Sequence, residues 1–239
     1  VNDTLMAIVR MNVRESTQVV GDLYSFTAAN DIAAQRLVAM MAEFGIDDLG
    51  PLADFIVTSS REATIERIRA LPQGTFRNSL TMDGYERPVT LAAAVTVGDG
   101  TIHVDYTGTS PASNHGINLV LNYTKAYTTY GIKVAVAPDI PNNHGSIEVF
   151  TFDAPEGCIL NAPRPYPVAA RHIIGHLLPD TILGCVHQML EGGVQAEGSS
   201  ALWNVQLRSG PSVSVSTDSV AVTASAIAAV PLPAAACRT

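Results

Sequence analysis

The chain has 239 residues, 47% hydrophobic and 15% charged, with a formal net charge of −8. This composition excludes general disorder, which needs low hydrophobicity and high charge. The acidic balance, with no basic run, excludes nucleic-acid binding, which needs clustered Lys and Arg to neutralise phosphates.

Cys158, Cys185 and Cys237 are odd in number. Their spacings fit neither a zinc ribbon nor a redox C-x-x-C, so they read as free thiols of a reducing cytoplasm. The start, "VNDTLMAIVRMNVRES", has no apolar run of signal-peptide type. No window reaches the ~18 apolar residues needed to span a bilayer. Val1 in place of Met points to a fragment or an alternative start codon.

In chain order, "STQVVGDLYSFTAANDIAAQRLVAMMAEFG" is the first strong signal. Leu23, Phe26, Asn30, Ala33, Leu37, Met40 and Phe44 recur at spacings of three and four, one stripe of a long helix. Ser16 is placed to cap its start, and Gly45 to end it in a left-handed conformation. Asn30 lies inside the stripe, where its amide needs a backbone partner or a cleft. Pro51 fits the first turn of a second helix running to about Ala70.

After "PQG" the period becomes two. "TFRNSLTM", "VTLAAAVTV" and "TIHVDYT" predict three strands, with hairpin signals at Asp83-Gly84 and Gly98-Asp99-Gly100. They form an antiparallel meander. "INLVLNYTKAYTTYGIKVAV" predicts a helix with Tyr123, Tyr127 and Tyr130 on one side. "SIEVFTF" predicts a further strand. A helix from about Val168 to Leu190 is expected to break near Pro179. The expected class is α+β: long N-terminal helices, a meander, and further helices packed on a mixed sheet. Residues 1–208 form one domain. Residues 209–239, rich in Ala, Ser and Val, form a poorly ordered tail, with "PSVSVSTDSVAV" as its one strand-like piece.

Two stretches carry candidate chemistry. "ARHIIGHLLPD" sets His172, His176 and Asp180 four residues apart, so they stack on one helix face. Two imidazoles and a carboxylate can hold a transition metal. However, Pro179 interrupts the ladder, and the glutamate of H-E-x-x-H is missing. The bland alternative is that Arg171 and the histidines satisfy carbonyls or line a contact. In "VDYTGTSPASNHGIN", Asp105 leads into Thr107, Gly108, Thr109 and Ser110. Hydroxyls, amides and a flexible glycine at a strand end can form an anion-binding nest. His115 and Asn118 add donors. The alternative is a turn whose hydroxyls satisfy their own backbone.

The same stretches carry a family likeness. "GDLYSFTAAN…RLVAMMAEFG" resembles the "GDL…A…AN…RL…YG" helix of the hydantoinase B/oxoprolinase family. "VDYTGTSPASNHGIN" resembles its "DFTGTSPQ…G.IN", and "PDIPNNHGSIEVFTFDAPEGCILNAPRPYPV" its "PDIP.N.G….V.…PEG..LN…P…V". "RHIIGHLLPDTILGCVHQ" and "AEGSSALWN" continue in order, so the likeness runs from about Asn12 to Leu207.

The resemblance implies a piece of a large subunit of ATP-dependent enzymes that open cyclic amides such as hydantoins or 5-oxoproline. Relatives carboxylate ketones. It implies an actin-like, ATP-binding hydantoinase A-type partner in a hetero-oligomer, with ATP and Mg in that partner. It also implies a divalent metal held by motifs upstream, and nothing before Gly21 matches those motifs. This segment is therefore expected to hold no metal of its own. The expected catalytic residues are His172, Arg171 and Asp105. The expected substrate-binding residues are Thr107, Gly108, Thr109, Ser110, His115 and Asn118. The competing expectation is an inactive scaffold or interaction fragment.

Overall fold

The computed structural model describes residues 2–195 and two short strands, Trp203–Asn204 and Ser219–Val220. The chain divides into two units, residues 1–55 and 56–239.

In the first unit, α1 (Asp3–Asn12) is capped by Asn2, whose side chain accepts from the Leu5 N–H at 2.9 Å. The sequence pattern did not foresee this helix. α2 (Ser16–Phe44) is the predicted long helix. Gly45 ends it at φ 63°, and the Ile46 N–H returns to the Met41 carbonyl at 2.8 Å, closing a Schellman-type end. The start differs from expectation, because Glu15 holds the cap position and no side chain caps it. Met6 and Val20 are buried. The lower part of the α2 stripe stays exposed: Phe26 at 63% and Phe44 at 68%, with Asn30 exposed between them. α3 (Gly50–Arg69) crosses the division between the units, with Asp48 accepting from the Gly50 N–H at 2.9 Å.

The second unit is built on a sheet. β1 (Gly74–Met82), β2 (Val89–Val97) and β3 (Ile102–Asp105) form the predicted antiparallel meander. β4 (Phe150–Asp153) lies parallel to β3, with Ile102 opposite Phe150, so the sheet is mixed and ordered β1-β2-β3-β4. The strand alternation separates two faces. Val89, Leu91, Ala93, Val95, Val97, Ile102 and Val104 are buried. α4 (Leu121–Val136) and α7 (Leu177–Val186) pack on each other, and α7 lies on β1 and β2. Ile132, Leu178 and Ile182 join the sheet residues in one core. The other face is a polar ladder. Thr75 bonds Thr96 at 2.9 Å, Thr81 bonds Thr90 at 3.0 Å, and His103 Nδ1 lies 2.9 Å from Thr151 Oγ1.

Three expectations need correction. Residues 117–120 are not helical. Leu119 pairs with the 159–162 segment, giving its N–H to the Ile159 carbonyl while its own carbonyl accepts from the Ala162 N–H, so α4 starts only at Leu121. "SIEVFTF" is not one strand. Asn143 and Ser146 form a reciprocal capping box that starts a helical turn, α5 (His144–Ile147), and only residues 150–153 are extended. The helix expected over 168–190 breaks at His176, not at Pro179, giving α6 (His172–Gly175) and then α7. Pro179 sits in the first turn of α7, where an N–H has no intrahelical partner to lose.

Most of the expected tail lies outside the described residues. Within it, Ser219–Val220 pairs antiparallel with Trp203–Asn204 in a separate two-stranded sheet. Among the described residues, no helix is long and apolar enough to cross a membrane.

Candidate functional site

The loop after β3 begins with an Asx turn. Asp105 Oδ1 accepts from the Thr107 N–H at 2.8 Å and from its hydroxyl at 2.7 Å. Gly108 follows at φ 97°, a conformation that disfavours any side chain. Beyond β3 the edge of β2 would lose its partner, and the next two side chains supply one. Thr109 Oγ1 accepts from the Ala92 N–H and donates to the Ala92 carbonyl, both at 3.1 Å. Ser110 Oγ accepts from the Thr90 N–H at 2.9 Å, while its own N–H reaches the Thr90 carbonyl. Asn118 is wholly buried. Its Oδ1 accepts from the Ser113 N–H at 2.8 Å, and its Nδ2 faces the carbonyls of Ser113, His115 and Pro167 at 2.8–2.9 Å. These hydroxyls and this amide are engaged with backbone or with Asp105.

His115 differs. Its Nδ1 lies 2.9 Å from Glu86 Oε1, and its ring stacks on Tyr85 at 4.2 Å between centroids. Glu86 also accepts from the Ser113 hydroxyl at 2.9 Å and the Asn114 N–H at 3.0 Å. These donors, His115 first and Ser113 second, hold the Glu86 carboxyl down at about 2. Glu86 and Tyr85 sit in the β1–β2 hairpin, which is tight at Gly84, where a Cβ would overlap the Arg87 carbonyl. With Nδ1 turned to the carboxylate, Nε2 is the nitrogen left to a ligand.

The loop is joined to the second candidate stretch. The Ala170 N–H donates to the Gly116 carbonyl at 2.7 Å, and Gly116 leaves only contact distance to Ala169. Arg171 follows directly. Its guanidinium lies over the Tyr123 ring at 5.6 Å, and its one side-chain hydrogen bond among the described residues is a long one, 3.4 Å to the Val168 carbonyl. Tyr123 stacks on Tyr127 at 4.5 Å, Tyr127 meets His176 edge-on at 5.8 Å, and His176 meets His172 at 6.5 Å. Burial, more than the Tyr127 neighbour, pushes the Tyr123 hydroxyl up to about 12. Burial, and then the neighbouring His172, lowers His176. Gly175 permits this packing, since a Cβ there would overlap the Tyr123 ring.

The structure therefore brings the 113–118 loop beside the segment leading into Arg171 and His172. Sequence reading missed Glu86 and Tyr85, and a hairpin loop with two acids and one aromatic gave no signal for them. Among the described residues, no three His, Cys, Asp or Glu side chains come together to hold a metal ion. A cleft of about 970 Å³ lies elsewhere, between α4 and β4, and none of the predicted site residues lines it.

Comparisons with known proteins place these features in context. A family model described as hydantoinase B/oxoprolinase matches residues 1–229. The chain is 28% identical over 203 residues to a Pseudomonas sp. protein named as the B-type component of a D-/L-hydantoinase, covering 79% of this chain and 34% of that protein. It is 25% identical over 206 residues to an uncharacterized protein of Methanocaldococcus jannaschii, covering 85% and 36%. The fold is similar to the ATP-dependent caprolactamase of Pseudomonas jessenii, with TM-score 0.71 at 18% identity over 81% of this chain and 34% of that one. It is also similar to nucleotide-free acetone carboxylase, with TM-score 0.69 at 16% identity over 79% and 27%. The chain spans about a third of the length of the two sequence relatives.

Proposed function

Since the chain belongs to the hydantoinase B/oxoprolinase family, we propose that it forms part of a subunit of an ATP-dependent enzyme that opens cyclic amides. The family match over residues 1–229 carries this reading, supported by the Pseudomonas relative that bears a hydantoinase name. The structural neighbour from Pseudomonas jessenii is an ATP-dependent caprolactamase, and a lactam is a cyclic amide.

The chemistry follows from the bond. A ring amide is a poor electrophile. Transfer of the ATP γ-phosphoryl group to its oxygen makes the ring carbon open to water. The C–N bond then breaks, the nitrogen takes a proton, and a second water releases phosphate. A site for this needs donors aimed at phosphoryl and oxyanion oxygens, and a proton carrier. Arg171 suits the first need. Its guanidinium lies over the Tyr123 ring at 5.6 Å, and among the described residues its side chain gives one long hydrogen bond, at 3.4 Å to the Val168 carbonyl, out of five N–H donors. On this reading Arg171 recognises the anion, His172 moves a proton, and the 105–118 loop with His115 flanks the substrate. Asp105 acts through the turn that it closes with Thr107. The ATP–Mg site belongs to a hydantoinase A-type partner, and the divalent metal to the part of the subunit outside this chain.

A second reading, ketone carboxylation, is favoured by the fold likeness to acetone carboxylase. One assay separates the two. The full-length subunit is co-expressed with its ATP-binding partner, and ADP release is followed with hydantoin, 5-oxoproline or caprolactam, and with acetone plus bicarbonate. Ring-dependent ADP release, lowered about 100-fold by Arg171→Gln, is expected. Release driven only by ketone and bicarbonate sinks the ring-opening assignment.

A further inference from the structure

The 970 Å³ cleft between α4, residues 138–148 and β4 has no part in the reading above. Its volume is in the range of ligand pockets, and its walls are mainly apolar, with Val134, Ile147 and Phe152 among them. Val134 and Ile147 are also exposed, at 43% and 38%. Two cations, Lys125 and Lys133, line the same cleft. The acid in the lining, Glu148, is already engaged, by Arg61 and by His144 Nε2 at 3.0 Å. Lys133 is buried, and its ammonium donates to the Ala137 carbonyl at 3.0 Å and to the Ile140 carbonyl. An ammonium has three N–H groups, so two carbonyls do not exhaust it. These two carbonyls follow the end of α4, so Lys133 also has a structural role there. Lys125 has no such bond among the described residues. In a chain of net charge −8, an apolar cleft whose charges are two lysines and a neutralised acid is an exception that calls for an anion.

We propose that this cleft binds an amphipathic carboxylate, with the apolar chain against Val134, Ile147 and Phe152 and the carboxylate at Lys125 and Lys133. Burial of Lys133 lowers its affinity for a proton, and an arriving anion would restore it.

The probes are octanoate, octanol and octylamine, titrated calorimetrically into the 239-residue chain. Octanoate should bind at least tenfold more tightly than either of the others, and added salt should narrow the margin. Lys133→Met removes two backbone bonds and can disturb the end of α4, so Lys125→Gln carries the test. It should weaken octanoate several-fold and leave octanol unchanged, with thermal unfolding confirming the fold. Octanol binding as tightly as octanoate, no octanoate binding, or indifference to Lys125→Gln each overturns the proposal.

Discussion

Glu86 and His115 lie on different loops, 29 residues apart, yet their side chains meet at 2.9 Å with Tyr85 stacked beneath the imidazole. The pair ties the β1–β2 hairpin to the loop that follows β3. The carboxylate gains several donors on folding, so its affinity for a proton drops to about 2 from an ordinary value of 4.5. A lowered carboxyl pKa stabilises the fold above the unfolded value, and the effect is lost as pH falls through the folded one. The contribution of Glu86 should therefore be complete above about pH 5 and disappear between pH 4.5 and 2. Thermal unfolding of wild type and Glu86→Gln across pH 2–7 checks this. The two melting curves should converge at the acid end. A constant gap over the whole range would show that the carboxylate's charge is irrelevant.

Asn118 has the opposite character, buried and fully engaged. Truncation to Ala leaves the Ser113 N–H and the carbonyls of Ser113, His115 and Pro167 without their partner. Each unsatisfied buried group costs about 1–3 kcal/mol. Asn118→Ala should lose about 3 kcal/mol or more by urea unfolding, and amide exchange should rise in residues 113–118 and 167–170 together. A loss under about 1 kcal/mol would mean that water replaces the amide at little cost.

What the sequence disclosed follows from the range of each interaction. The meander was readable because Val89, Leu91, Ala93, Val95 and Val97 alternate with Thr90, Ala92, Ala94 and Thr96, and that period needs no knowledge of the rest of the chain. α2 was readable from its stripe and Gly45, although the stripe did not tell that Phe26 and Phe44 stay exposed. The α4 boundary failed because Leu119 is drawn into pairing with residues about 40 positions away. Pro179 misled because its effect depends on its place in a helix, and that place was set by a break at His176. At the site, His115 and Arg171 were found as residue types. Their partners Glu86 and Tyr123 came from tertiary contacts across 29 and 48 positions, which no spacing rule reaches.

Gly175 is such a distant determinant. Its α carbon abuts the Tyr123 ring, and a Cβ would overlap the ring edge. Gly175→Ala should push Tyr123 off its stack with Tyr127 and out from under Arg171, costing roughly 1–3 kcal/mol as overpacking does. Helix propensity alone favours alanine, so a stabilised variant would contradict this packing. The double variant Gly175→Ala/Tyr123→Leu should lose less than the sum of the single changes, because both act on one contact.

His176 gives a pH dependence at a higher range, separate from that of Glu86. Burial disfavours its imidazolium, and the neighbouring His172 adds to this, so its folded pKa lies below the ordinary 6.5. For a histidine lowered on folding, the unfolded chain takes up the proton first as pH drops. The stability tied to the neutral ring is complete above pH 6.5 and is lost as pH falls through the folded value. Urea midpoints of wild type should fall from about pH 7.5 to about pH 5 more steeply than those of His176→Gln. An NMR titration of the ring protons tests the cause directly. The His176 midpoint should lie below 6.5 and move up toward it in His172→Gln, where the neighbouring charge is gone. A midpoint at or above 6.5 in wild type would mean that a partner stabilises the imidazolium more than burial penalises it, and the tyrosine–histidine ladder would then carry a proton where a neutral ring is assigned.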